Sequence, residues 1–263
     1  VSIKAGNTLS DYGGIDQLEL MKKYSVILAN PPFAGQIQSD SIRKDITIKS
    51  RKTEILFMCV IMDMLAPGGR AAIVVPEGLL FGSGSANLTT RKRLIDEFHL
   101  RAVISLPSGV FKPYAGVKTS IVVFEKPIDI NSVSDNDLIW FYNIKNDGYD
   151  PDKITQEARV ETPDKSNIPE LLNLWNVYKN SNFKDPPGTE GSKVLEPESN
   201  MPSSWYVTKE VIAESNYNLS ANTYIPQIQE KISDENPEVL IKEMINIEKD
   251  IVSSLKNLLN ELK

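Results

Sequence analysis

Apolar residues in the first half of the chain fall into short blocks of two kinds. Tyr24-Ser25-Val26-Ile27-Leu28-Ala29 is a β-rich run ending at Asn30-Pro31-Pro32, and it reads as a buried strand closed by a stiff turn. Residues 70–75, 100–106 and 119–124 are similar runs and predict three more strands. Between them, residues 53–65 are apolar almost all round, which predicts a helix buried against a sheet. Ala66-Pro67-Gly68-Gly69 should stop it. Residues 88–98 are amphipathic, with Asn87 or Thr89 as candidate cap. This alternation of strand and helix is the α/β pattern. Residues 33–52 are polar without strong periodicity, and predict either a mobile lid or a partly disordered stretch.

Near Pro127 the composition shifts to Asp, Asn, Ser and Pro. Within this region residues 138–144 predict a strand, Asn146-Asp147-Gly148 a turn and residues 168–178 a short helix. Residues 184–201 read as loop, and residues 205–207 and 209–214 as a strand and a short helix. The clearest helix comes last. Asn236 is a good cap, Pro237 a good first residue, and no glycine or proline follows. Ile241, Met244, Ile251, Leu255, Leu258 and Leu262 form a seam interrupted by Glu248. Leu240, Ile245, Ile247, Val252 and Leu259 widen it, so the helix should pack on a partner subunit or, alternatively, on its own domain. Three regions follow: residues 1–127, an irregular α+β extension over 128–233, and the helix within 234–263.

Composition narrows the functional classes. At 263 residues, with 41% hydrophobic and 24% charged residues, the chain can bury a real core. Its one cysteine, Cys59, excludes an internal disulfide and a multi-cysteine zinc site, and suits a reducing cytoplasm. Cys59 sits in an apolar helical run and reads as a packed thiol. His99 is the only histidine, so a His-based metal site is not expected. No stretch is apolar enough to span a membrane. The first residue is valine, so the native start is expected to be absent. A net charge of −6 argues against a broad DNA-gripping face. Arg91-Lys92-Arg93, with Arg101 and Lys112, forms either a local basic patch or a solvated helix start.

The chemistry lies at Asn30-Pro31-Pro32-Phe33. Each proline fixes its own φ and holds the preceding residue extended. The turn follows the carboxyl end of a strand, where open α/β sheets bind ligands. An amide oxygen, a backbone oxygen and a ring face suit a flat molecule bearing an amino group. Val26-Ile27-Leu28-Ala29-Asn30-Pro31-Pro32-Phe33 resembles the catalytic motif of the N6-adenine DNA methyltransferases. Gly6-Asn7-Thr8-Leu9, the run from Leu65 to Pro76, Val103-Ile104-Ser105-Leu106-Pro107-Ser108-Gly109-Val110-Phe111 and Gly116-Val117-Lys118-Thr119-Ser120-Ile121 follow in order. Together they resemble modification (M) subunits of type I restriction–modification systems. Ser204-Trp205-Tyr206-Val207-Thr208 and Asn216-Tyr217-Asn218-Leu219-Ser220 continue the resemblance more weakly.

The resemblance implies the later half of a Rossmann-like, S-adenosylmethionine-dependent methyltransferase sheet, with the strand ending at Phe124 antiparallel to its neighbours. It implies site-specific DNA adenine N6-methylation, in the cytoplasm. Its implied partners are DNA, a specificity (S) subunit, a second M subunit and, in some assemblies, a restriction (R) subunit. Asn30 and Pro31 would accept from the adenine amine. Phe33 would stack on one face of an extruded base and Phe111 on the other, with Tyr114 in reserve. Pro32 stiffens the turn. Asn7 either reaches the cofactor's adenine or is a turn residue. A Gly-rich loop for the methionine half of the cofactor is missing before Tyr24, so the chain by itself should not bind S-adenosylmethionine measurably. Two alternatives stay open: a methyltransferase acting on a protein glutamine, and a non-catalytic truncated subunit.

Overall fold

The computed structural model describes residues 5–10, 23–154, 159–191, 194–195, 202–228 and 237–261. The chain divides into one unit of residues 1–195 and 200–227 and another of residues 196–199 and 228–263. The first unit is built on a seven-stranded mixed sheet. Its strands are β1 (Tyr24–Ala29), β2 (Leu65–Pro76), β3 (His99–Ser105), β4 (Thr119–Glu125), β5 (Leu138–Asn143), β8 (Thr189–Glu190) and β9 (Ser204–Thr208), in the order β1-β2-β4-β3-β5-β9-β8. β6 (Tyr149–Ile154) and β7 (Arg159–Glu161) form a separate antiparallel pair. β1 runs parallel to β2, and β3 parallel to β5. β4 is antiparallel to both of its neighbours, as expected.

Strand alternation builds two cores. In β5, Ile139 and Phe141 face one side, while Trp140 and Tyr142 face the other. The first side is covered by α1 (Thr53–Met64), α2 (Glu77–Phe81) and α3 (Ser85–Glu97). There Phe98 meets Phe124 edge to face at 5.4 Å between ring centroids. Leu171 and Tyr178 of α4 (Ile168–Asn180) close the second side over Trp140. α1 is buried at Ile55, Leu56, Met58, Cys59, Val60, Ile61 and Met62, the all-round burial that its composition predicts. Burial pushes the Cys59 thiol up to about 11, with a weaker opposing contact from Thr90, so it is a packed thiol and not a nucleophile.

Three local expectations are corrected. β1 is an edge strand in the described sheet, not a buried one. Ile27 and Ala29 pack on the core, but Leu28 is 80% exposed, with Tyr24 and Val26 on the same open face. That face continues as an apolar cleft of about 330 Å³ past Ala72, Ile121 and Val123 to Leu172 and Trp175. Next, α1 does end ahead of Ala66-Pro67-Gly68-Gly69, but those four residues already belong to β2, which starts at Leu65 rather than at residue 70. Gly68 takes φ +72°, and Gly68 N and Gly69 O bond Lys126 O and Lys126 N, each at 2.8 Å, so the ladder absorbs the breaker residues. Finally, α3 starts at Ser85 with Gly84 in the cap position. The Asn87 amide instead donates to Gly78 O at 3.1 Å.

Of the two readings of Arg91-Lys92-Arg93, a basic patch or a solvated helix start, neither describes Arg91. Arg91 is 2% exposed and donates to Tyr217 O at 2.7 Å, Leu79 O at 3.0 Å and Gly82 O at 2.9 Å. Burial lowers its pKa. Arg93 pairs with Asp63 and Glu97, Arg101 with Glu125, and the Lys92 ammonium lies 5.9 Å from the Tyr217 ring centroid. These cations hold the fold together. His99 is structural too, bonded to Asp137 at 2.8 Å and Ser132 at 3.1 Å.

After the sheet, α5 (Lys209–Glu214) is capped by the Thr208 hydroxyl, which accepts from Val211 N. Asn216 and Tyr217 turn through positive φ, and Leu219 N donates to Leu80 O at 2.9 Å. Arg91 thus bolts this returning segment to α2. The second unit contains α6 (Pro237–Glu261). Ile241, Met244, Ile247, Ile251 and Leu255 are each more than half exposed. Asn236 and Leu262 lie outside the described residues, as do the side chains of Leu240, Leu258 and Leu259. No helix among the described residues is long and apolar enough to cross a membrane.

Arg91→Met should lower the unfolding free energy by about 3 kcal/mol, because three buried carbonyls lose a charged donor. Arg91→Lys should recover little of it, since one ammonium cannot reproduce the guanidinium fork. Denaturant melts of the three proteins measure this.

Candidate active site

Parallel pairing carries β1 alongside β2 to Ala29, opposite Ile73. The chain then leaves the sheet through Asn30-Pro31-Pro32-Phe33. Pro31 is buried, Phe33 is half-buried and Asn30 and Pro32 are exposed. No hydrogen bond among the described residues engages the Asn30 side chain, so its amide is available to a ligand.

The turn is fastened from the far side by the start of α1. Thr53 Oγ1 donates to Pro32 O at 3.2 Å and Thr53 N donates to Gly35 O at 3.0 Å. One of the orphan amides of the α1 N-terminus is thereby satisfied by the turn itself. Contact is so close that a Cβ on Gly35 would stand 2.5 Å from Thr53 Oγ1. Ala34 takes φ 56°, a strained value for a non-glycine residue, and completes the reversal.

Residues 36–52 form an anchored strap. Ser39–Ser41 is a single 3-10 turn. Short bridges join Gln36 to Lys52 and Ser10 to Ile42. Ile46 is 8% exposed and packs with Leu9, Leu56 and Val60. Arg43 is buried, donates to Thr8 O at 3.0 Å and forks onto Asp45. That hydrogen bond holds the Asp45 carboxyl below the usual carboxylate range. Asn7 belongs to the same corner. Its side-chain oxygen accepts from Leu9 N at 3.0 Å, which makes it a turn residue in this structure.

The two rings proposed from the resemblance to face an extruded base lie next to each other. Phe33 and Phe111 meet at 5.3 Å between centroids with their planes at 67°. Tyr114, on the same loop, is 89% exposed and has no ring partner among the described residues. The loop between β3 and β4 is held by Leu106 N to Thr119 O at 3.0 Å, Lys112 N to Gly109 O at 3.0 Å and Ala115 N to Phe111 O at 2.9 Å. From outside, Arg159 of β7 reaches Val110 O at 3.4 Å while its guanidinium grips Asp147.

Sequence reasoning passed over four contributors: Thr53, Gly35, Arg159 and Glu77. Glu77 follows the end of β2, accepts from Ser120 Oγ at 2.8 Å and ties in Ser220 Oγ at 3.4 Å. Only Gly35, directly after the turn, offered a signal. Among the described residues no group of His, Cys, Asp and Glu could hold a metal ion.

A mixed sheet with β4 antiparallel between two strands, and an Asn-Pro-Pro-Phe turn leaving the carboxyl end of its edge strand, define a methyltransferase-like α/β unit. Residues 1–233 match the N-6 DNA Methylase family, and the chain belongs to that family. It is 40% identical over 123 residues to the type I restriction enzyme EcoEI methylase subunit of Escherichia coli, covering 46% of this chain and 24% of that protein. Against the type I restriction enzyme MpnII methylase subunit of Mycoplasma pneumoniae it is 27% identical over 254 residues, 91% of this chain and 40% of that protein. The crystal structure of the type I restriction enzyme EcoKI M protein superimposes with a TM-score of 0.59 at 25% identity, covering 98% of this chain and 53% of the other. The chain therefore spans well under two thirds of the length of these relatives.

Gly35→Ala should destabilise the protein by about 1–3 kcal/mol through the clash with Thr53. The Gly35→Ala/Thr53→Ala pair should be less unstable than the two single costs added together, which thermal unfolding of the full cycle would show.

Proposed function

We propose that this chain carries the catalytic turn of an adenine N6-methyltransferase acting on DNA, as part of a type I modification subunit. The observation behind this is an Asn30 amide at a strand's carboxyl end with no partner among the described residues, on the same turn as Phe33, whose ring meets Phe111 edge to face. Adenine's exocyclic amine is a poor nucleophile because its lone pair is delocalised into the ring. Asn30 Oδ1 and Pro31 O would accept the two amine protons, favour a tetrahedral nitrogen and aim its lone pair outward. This is positional and electrostatic catalysis and needs no strong general base. An adenine in a duplex must first be extruded, at a few kcal/mol. Stacking on an aromatic ring returns about 1–3 kcal/mol. Phe33 and Phe111 now touch edge to face, so the base would enter by parting them.

S-adenosylmethionine, the donor the family relationship implies, supplies the methyl group when bound. The described residues fit it only in part. Asn30 borders the space beyond the sheet, but Asn7 is engaged in its own turn. No Gly-rich loop follows a strand on the described side of β1. The protein's own residues therefore account for base capture and amine orientation.

Replacing Asn30 with Ala in the complete subunit should lower kcat for methyl transfer to DNA by at least about 10²-fold, with melting temperature unchanged. Transfer at a near-parental rate would remove Asn30 from the reaction.

We further propose that α6 docks on helices of another subunit, the specificity subunit, in an assembly that also holds a second modification subunit and, where one exists, a restriction subunit. Its exposed Ile251 and Leu255 support this. Ile251→Asp with Leu255→Asp should abolish co-purification of the specificity subunit while the α/β unit keeps its melting transition. Normal assembly of that variant would end the docking model.

A further inference from the structure

The strap and the turn before α3 enclose an open cleft of about 1230 Å³. On its strap wall stand Lys44, Lys49, Arg51 and Lys52, all exposed. None of the four makes an ion pair among the described residues. Arg51 spends one N–H on Ile37 O at 3.3 Å and leaves the rest of its fork free. The opposite wall, Gly82 to Asn87, is small and neutral, and among the described residues no carboxylate lines the cleft. In a chain of net charge −6, this is a concentrated positive channel.

The strap that presents these cations is fixed. Ile46 is anchored in the core, Arg43 is consumed by Asp45 and Thr8 O, and the bridge from Gln36 to Lys52 leads straight to Gly35 and the Asn-Pro-Pro-Phe turn. Lys52 is the residue next to Thr53, which bonds Pro32. The cleft lined by these cations thus begins one residue from the Thr53 contact with Pro32, where the strap meets the turn.

We propose that this cleft binds the sugar–phosphate backbone of the DNA strand flanking the extruded base, with Lys44, Lys49, Arg51 and Lys52 neutralising successive phosphates. The inference rests on the DNA-methylation reading and adds a sequence-independent contact surface to it. Such contacts position the strand and carry no base specificity.

The test uses the complete multisubunit enzyme and a Lys44→Gln/Lys49→Gln/Lys52→Gln variant. Fluorescence anisotropy follows binding to a duplex with the recognition site and to an unrelated duplex, from about 50 to 200 mM salt. Each lost phosphate contact should reduce the slope of log K against log salt by about 0.9, so the triple variant should lose up to ~2.7. Both duplexes should weaken alike. A control variant, Lys165→Gln/Lys179→Gln/Lys184→Gln, removes the same charge from exposed sites elsewhere and should keep the parental slope. If the cleft variant keeps the parental slope, or the control loses as much, the proposal is overturned. Loss of subunit assembly at unchanged slope would assign the cleft to a protein partner and overturn it as well. If the parental enzyme binds DNA but transfers no methyl group to it, the functional reading fails, and the slopes still decide the cleft.

Discussion

The approach of Thr53 to Gly35 is the constraint on which the rest of this structure depends. A helix start and a strand end meet so closely that only a hydrogen at Gly35 fits between them. Two hydrogen bonds from Thr53 then fix the backbone of the turn. Because the turn is rigid, Asn30 projects in one direction without needing a hydrogen bond of its own. Because the chain leaves the turn against α1, residues 36–52 run along that helix and bury Ile46 beside Leu56 and Val60. The polar stretch thus gains order from an anchor at its beginning and one apolar residue in its middle.

A second set of ties brings later parts of the chain to the same end of the sheet. Glu77 gathers Ser120 and Ser220. Arg91 collects three carbonyls from two segments, one of them 126 residues away. Asp147 and Arg159 close a clamp beside Val110. Each is a polar side chain whose hydrogen bonds are satisfied out of bulk water, where such bonds are strongest and their loss costs most. The rings at the turn sit on a frame built from these polar ties as much as from apolar packing.

The strands and helices of the first half were legible because their hydrophobic periods are strong. The 53–65 block becomes a buried helix, and the 100–106 and 119–124 runs become β3 and β4 almost to the residue. Phe33 and Phe111 were both named from the resemblance, and their direct edge-to-face contact was not foreseen. Other features were hidden for physical reasons. The order of the strap depends on Leu9 and Arg43, and no local pattern in a polar segment announces such partners. The burial of Arg91 depends on carbonyls donated from a distant turn, so three adjacent cations looked like a solvated patch. Ala66-Pro67-Gly68-Gly69 looks like a loop by every local rule, and only the neighbouring Lys126 turns it into sheet. The edge position of β1 is a property of the described sheet, and its sequence is that of an interior strand.

That last mismatch has a material consequence. Among the described residues β1 pairs on one side only, with β2, and Val26 and Leu28 stand bare on one face. Natural edge strands are guarded by charge, proline or a bulge; β1 has a register shift between Tyr24 and Val26, with Lys23 just ahead of it and Pro31 just beyond it, and between these guards Leu28 stands bare. Two copies brought together edge to edge can continue one sheet into the other and hide both sets of side chains. A strand laid against β1 would extend the described sheet and cover those side chains.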